Sequence, residues 1–141
     1  MMIARACGFM ASLMFVVGCG SGSRVVPVSG VVTLDSKPLP NAHVAFQPEA
    51  TKGGTTPGIG SYGITDASGN YTLRTFDSDV PGAVIGTHRV EINLKQESDD
   101  RDPKTRPPPK VLPPKYNRQT ELQFKVEPSG TGAANFDLKS Q

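Results

Sequence analysis

Few residues of this chain carry reactive or ligating chemistry, and their positions narrow what that chemistry is. The only thiols are Cys7 and Cys19, both in an apolar N-terminal stretch. The remainder has no thiol, which excludes a disulfide framework or a thiolate metal site in a folded domain. The two imidazoles, His43 and His88, stand in separate alternating segments, and neither has a second His at ligand spacing. A mononuclear metal site wants three or four converging ligands. His88 shares its parity with Val90, Ile92 and Leu94 and is expected to pack in the core or at an edge. His43 is out of phase with Val44 and Phe46 and is expected to face solvent. Asp66, Ser68 and Asn70 alternate like the opening of a calcium loop, but the distal bidentate Glu is missing. An Asx-stabilised turn is the better reading. Asp77 and Asp79, on either side of Ser78, read as a solvated loop rather than a weak cation site. The scattered serines define no Ser-His-Asp arrangement, and there is no P-loop or dinucleotide glycine pattern. The expectation is no catalytic residue, no metal and no cofactor.

The thiol that does suggest chemistry is Cys19. Arg5 supplies a single positive charge ahead of a short apolar run, Phe9 to Val17. That run is too short to span a bilayer, which takes about 20 apolar residues, and has the form of a secretory signal. It ends in Val16-Val17-Gly18-Cys19, which resembles the bacterial lipobox with Val16 where Leu is usual. Acylation needs a thiol as the thioether site and a small residue before it for the peptidase, so residues 1–18 are expected to be removed by cleavage between Gly18 and Cys19. Two or three acyl chains anchor stably, since each buried methylene contributes roughly 0.8 kcal/mol and one chain alone is marginal. Residues 19–24 read as a flexible tether. Gly20, rather than Asp, follows the cysteine, which favours the outer membrane over the inner where the Asp retention rule applies. The formal charge is +2 for the chain, and loss of Arg5 with the signal leaves +1. No basic stripe invites nucleic acid.

From Val25 onward the chain reads as strands and turns. With 15 Gly, 13 Pro and no Trp, long helices are disfavoured. Val26, Val28, Val32 and Leu34 share one parity, with Pro27 at an edge or strand start. Asp35 to Asn41 is dense in turn formers. Val44 and Phe46 face inward in a strand at 43–47, and a short strand begins at Tyr62. Asp66 to Gly69 forms a turn. Tyr71, Leu73 and Thr75 then alternate with Thr72, Arg74 and Phe76. Gly86 to Lys95 is a further strand, after a loop at 80–84. Glu121 to Val126 and Ala134 to Leu138 close the domain. Two stretches lack periodicity: Glu49 to Gly60, and Gln96 to Pro114 with six prolines from Pro103 to Pro114. The second is a surface loop or a ligand for an aromatic-lined groove, with the loop preferred. Tyr116 is expected to re-enter the core or cover an edge. Residues 25–139 are therefore expected to form one all-β domain, a single seven-stranded antiparallel β-sandwich of prealbumin-like or immunoglobulin-like form.

Several motifs resemble the carboxypeptidase regulatory-like and transthyretin-like β-sandwich family. They are Val28 to Asp35, Lys37-Pro38-Leu39-Pro40-Asn41-Ala42-His43-Val44, Thr65-Asp66-Ala67-Ser68-Gly69-Asn70-Tyr71-Thr72-Leu73, and Gly86 to Val90. Ser36 stands where the family has Gly, and His88 where it has Tyr. Leu112 to Asn117, Thr120 to Leu122 and Asn135 to Leu138 are similar to the ends of small bacterial lipoproteins of that kind. The resemblance covers about residues 26–138 and is specific for fold more than function. It implies an accessory, stalk or interaction module. Hydroxyisourate hydrolases share the fold and use several His and Arg residues and a C-terminal Tyr-Arg-Gly-Ser. This chain ends Leu138-Lys139-Ser140-Gln141 instead. The expected function is thus a non-enzymatic cell-envelope module, membrane-bound through its lipid, with a protein partner in the envelope. The alternative is a carbohydrate- or peptide-binding module using the 49–60 and 96–114 loops, against which the lack of Trp and the scarcity of exposed aromatics argue.

Overall fold

A computed structural model describes residues 24–50, 58–95, 100–102, 104–105 and 111–141. The expected signal segment 1–18, the expected cleavage position Gly18, the expected acylation site Cys19 and the expected tether up to Ser23 lie outside the described residues. So do residues 51–57 of the first expected loop and 96–99, 103 and 106–110 of the second.

The strands are β1 Val25–Val26, β2 Ser29–Leu34, β3 Lys37–Pro38, β4 Ala42–Pro48, β5 Ser61–Ile64, β6 Asn70–Thr72, β7 Arg74–Thr75, β8 Ala83–Val84, β9 Gly86–Leu94, β10 Gln123–Val126 and β11 Phe136–Leu138. One 3₁₀ turn covers Pro114–Tyr116. No helix among the described residues is long and apolar enough to cross a membrane. A five-stranded antiparallel sheet runs β10-β9-β4-β5-β7. A second sheet is built on β2, which pairs β3 and β6 antiparallel and β11 in parallel. β1 and β8 form a small antiparallel pair. The sheets enclose one apolar core that includes Val28, Val32, Val44, Phe46, Leu73, Val90, Ile92, Val126 and Leu138. This all-β arrangement is consistent with a β-sandwich.

The count and the pairing correct the sequence-based expectation of seven antiparallel strands. All seven expected segments contain strand, but two are broken, β3 and β8 are additional, and one pair is parallel. Most of these differences have a visible physical cause. Pro27 has no N–H to continue a ladder, so the first segment divides into β1 and β2 around it. The segment 70–76 divides because it changes sheets. β6 bonds β2, whereas β7 bonds β5. Leu73 sits at the crossing, its N–H donating to the Val28 carbonyl at 2.9 Å and its carbonyl accepting from Gly82 at 2.7 Å. β3 arises because Asp35 and Ser36 both take positive φ, 50° and 65°, which is what a two-residue hairpin turn of type I′ requires. The turn pairs Leu34 with Lys37, and Ser36 fills a position that glycine adopts with less strain. β11 is parallel because residues 127–135 carry the chain from β10 in one sheet to β2 in the other, where it runs alongside β2 rather than turning back on a neighbour.

The side-chain parities match the sequence pattern. Val26, Val28 and Val32 are buried and Leu34 packs half-buried against the core. Tyr71, Leu73 and Thr75 point inward, and Phe76 outward. Leu39 plugs the core below the first hairpin, and Tyr116 is buried with its hydroxyl accepting from the Lys139 N–H at 2.8 Å.

Candidate functional site

The residues with chemical potential fall into three groups. The first lies inside the five-stranded sheet. His88 on β9 is fully buried, as its parity predicts. Its Nε2 lies 2.7 Å from the Val84 carbonyl. A carbonyl can only accept, so Nε2 carries the proton and Nδ1 presents a lone pair. That Nδ1 and the Ser61 hydroxyl are buried side-chain polar atoms without a hydrogen-bond partner. Both residues flank Phe46: Ser61 is its partner across β4 and β5, and the His88 ring lies 5.6 Å from the Phe46 ring. The pair is therefore part of a packed interior.

Burial pushes the His88 imidazolium below its ordinary pKa of 6.5, the Val84 carbonyl opposing this only in part. The unfolded chain takes up a proton below about pH 6.5, while the folded chain resists it until a lower pH. Between those values the unfolded state binds more protons, so stability falls as pH falls. The melting temperature is expected to drop as pH is lowered from about 7 to 5. His88→Gln, which keeps an N–H for the Val84 carbonyl, should flatten that dependence. An equal slope in the variant would assign it to other groups.

The second group comprises the acidic turns. Asp66 Oδ1 accepts the Ser68 N–H at 2.9 Å and the Asn70 N–H at 3.0 Å, and the Gly69 N–H closes the turn onto the Asp66 carbonyl at 3.0 Å. These bonds, that from Asn70 foremost, hold the Asp66 carboxyl below the usual carboxylate range. This is the Asx turn the sequence suggests, with Gly69 at φ 78°. Asp79 is bound by Arg74, whose Nε lies 2.6 Å from Oδ1 and whose Nη2 donates to the Asp79 carbonyl at 2.7 Å. Asp77 Oδ1 accepts the Ser78 hydroxyl at 2.8 Å. Among the described residues, no three His, Cys, Asp or Glu side chains are grouped to hold a metal ion.

The third group escapes the sequence reading. On the outer face of the five-stranded sheet, the rings of His43, Tyr62 and Phe76 form a column. His43 and Tyr62 are 6.1 Å apart and within 9° of parallel, and Tyr62 and Phe76 are 5.1 Å apart at 22°. His43 does face outward, but half-buried against Tyr62 rather than free in solvent. Phe76 is 57% exposed. Alternation alone places Phe76 outward. Its alignment with Tyr62 depends on the β5–β7 register, in which Tyr62 pairs Arg74, and nothing local announces that. Elsewhere, Val111, Leu112, Pro113, Pro114, Arg118 and Ser140 line an open depression of about 400 Å³ where the Pro-rich segment rejoins the fold.

Compared with known proteins, the chain matches no family model, no curated protein and no solved structure.

Proposed function

We propose that this chain is a non-enzymatic lipoprotein of the bacterial cell envelope. It is exported, acylated at Cys19 after cleavage at Gly18, and held at the outer membrane in preference to the inner. Its domain is a β-sandwich of the carboxypeptidase regulatory-like, transthyretin-like type that serves as a structural or protein-interaction module. The observation that carries the reading is how the chemically capable side chains are engaged. Asp66, Asp79 and His88 are each bound into the fold by backbone or ion-pair contacts, so their chemistry goes into shape. The family motifs support the same reading, since Leu39, Ala42, Tyr71 and Leu73 are all core residues.

The test begins with the anchor. Cys19→Ser is expected to leave an unprocessed precursor and abolish fatty-acid labelling, and unchanged labelling would remove the anchor from the proposal. Cross-linking of the native protein in its own membrane should then capture a protein neighbour. A second reading, carbohydrate or peptide binding, is favoured by one specific observation: the exposed Phe76 ring at the end of the aromatic column, since ring faces are what sugars stack on. A glycan-array signal lost in Phe76→Ala, with no protein captured in the membrane, would put that reading first.

A further inference from the structure

The exposed apolar side chains are unevenly distributed. Among the described residues, six large ones are exposed: Ile59, Ile64, Phe76, Val80, Ile85 and Val111. Four of them gather at one end of the strands. The Ile85 N–H donates to the Arg24 carbonyl at 3.1 Å, so Ile85 marks the place where the chain begins its first strand. The neighbouring β9 starts there too, Gly86 lying beside Val126 at the close of β10. On the same sheet Ser61 pairs with Thr75. One step further along, the Phe76 N–H donates to the Gly60 carbonyl at 3.0 Å, which brings Ile59 beside Phe76. Val80 faces Thr75 across the same tight loop, its carbonyl 2.9 Å from the Thr75 N–H. Ile64 and Val111 belong to the opposite end. There the Thr65 carbonyl accepts from Asn41, and Ser140, which lines the depression with Val111, bonds Asp35.

The length of chain before Arg24 says what this end meets. Five residue steps separate Cys19 from Arg24. However those residues are arranged, they span no more than about 3.6 Å each, roughly 18 Å in all. The nine residues of β9 extend about 30 Å at some 3.4 Å per residue, so the far end lies beyond the tether's reach. We infer that the end bearing Ile59, Phe76, Val80 and Ile85 rests on the lipid surface to which Cys19 is anchored. The contact orients the module and leaves the Ile64 and Val111 end to face partners. This inference rests on the acylation proposed above.

The chemistry of the contact is apolar. Carboxylates at this end are already engaged: Asp79 with Arg74 at 2.6 Å, Glu127 with Lys125 at 3.1 Å, and Glu49 with the Gln123 amide at 3.0 Å. Asp77 adds a further negative charge. Exposed Arg24, at the same end, offsets Asp77, so the described residues here carry no basic excess for anionic headgroups, and the contact should persist at about 1 M salt, where ionic attraction is screened within a few ångströms.

The mature sequence holds no thiol besides the acylated one, so one introduced cysteine can carry an environment-sensitive fluorophore. Val80→Cys and Ile64→Cys suit the comparison, because the two positions are 43% and 44% exposed at opposite ends. Both labelled proteins, expressed from the full-length chain in a bacterial host that processes lipoproteins and purified as produced, are reconstituted with phosphatidylcholine vesicles, with and without phosphatidylglycerol. Flotation reads the anchor and emission reads the face. The expected result is co-flotation of both, with a blue shift and several-fold intensity gain at position 80, little change at position 64, and no dependence on phosphatidylglycerol or salt. Co-flotation with equal responses at the two positions, or with none, overturns the orientation while leaving the anchor intact. Failure to float overturns the acylation reading, and the orientation with it.

Discussion

Phe46→Ala is expected to reduce the unfolding free energy by about 3–5 kcal/mol, the usual cost of removing a fully buried phenylalanine. Phe46 on β4 is 0% exposed. It is the hub of a four-ring cluster, with His88 of β9 at 5.6 Å, Phe124 of β10 at 5.7 Å and Phe136 of β11 at 6.1 Å. Phe124 and Phe136 also meet edge to face at 6.2 Å. Three of these rings belong to the five-stranded sheet and one to the sheet built on β2, so the cluster joins the two layers. Truncation leaves a cavity bordered by β-sheet backbone on two sides, which has little freedom to collapse. Most domains have only about 5–15 kcal/mol to lose. Denaturant unfolding followed by far-ultraviolet circular dichroism would measure the change. A loss below about 1 kcal/mol would show that the rings are not where the layers are held together.

Gly30→Ala should be comparably damaging, at about 3 kcal/mol or more, although it adds a single methyl group. A Cβ at Gly30 would sit 2.0 Å from the Ala134 carbonyl oxygen and 2.4 Å from its carbon. Those are backbone atoms, held from two directions: the Ala134 N–H donates to the Ser29 carbonyl at 3.0 Å, and the Tyr71 hydroxyl donates to the Ala134 carbonyl at 2.5 Å. The methyl group must push residue 134 away, and with it both bonds. Tyr71 is only 3% exposed, so its hydroxyl would be left buried without a partner, itself a penalty of about 1–3 kcal/mol. Burial already holds the Tyr71 phenol well above its ordinary pKa, so ionisation offers no relief at neutral pH. Gly132→Ala is the matched control. Its added Cβ would meet only the Ser29 hydroxyl at 3.8 Å, and the expected change is within about 0.5 kcal/mol. Equal losses in the two variants would mean that the approach of β2 to residue 134 is looser than described.

The same two residues show where sequence reasoning succeeds and where it stops. Phe46 is legible as a core residue because a strand alternates its faces, and that period is written into neighbouring positions. The same holds for Val28 and Val32, for Tyr71, Leu73 and Thr75, and for His88 with Val90 and Ile92. Gly30 is visible only as a glycine interrupting a run of β-branched residues. Its reason, a backbone passing at contact distance, comes from a segment about a hundred residues later in the chain. The Val31 N–H bonds the Asn135 side chain over a separation of 104 residues, as do the side chains of Thr33 and Asp137.

By itself, then, the sequence determined the all-β character, the inward parities and the turns at Asp35 and Asp66. Each depends on residues within a few positions of one another, where backbone sterics and strand period act. Tertiary structure alone decided that β11 lies parallel to β2, that the chain changes sheets at Leu73, that His43, Tyr62 and Phe76 align, and that four apolar side chains share an end with Arg24. Those depend on which strands become neighbours and in what register. That choice is made by packing the whole core at once, and no local run of residues encodes it.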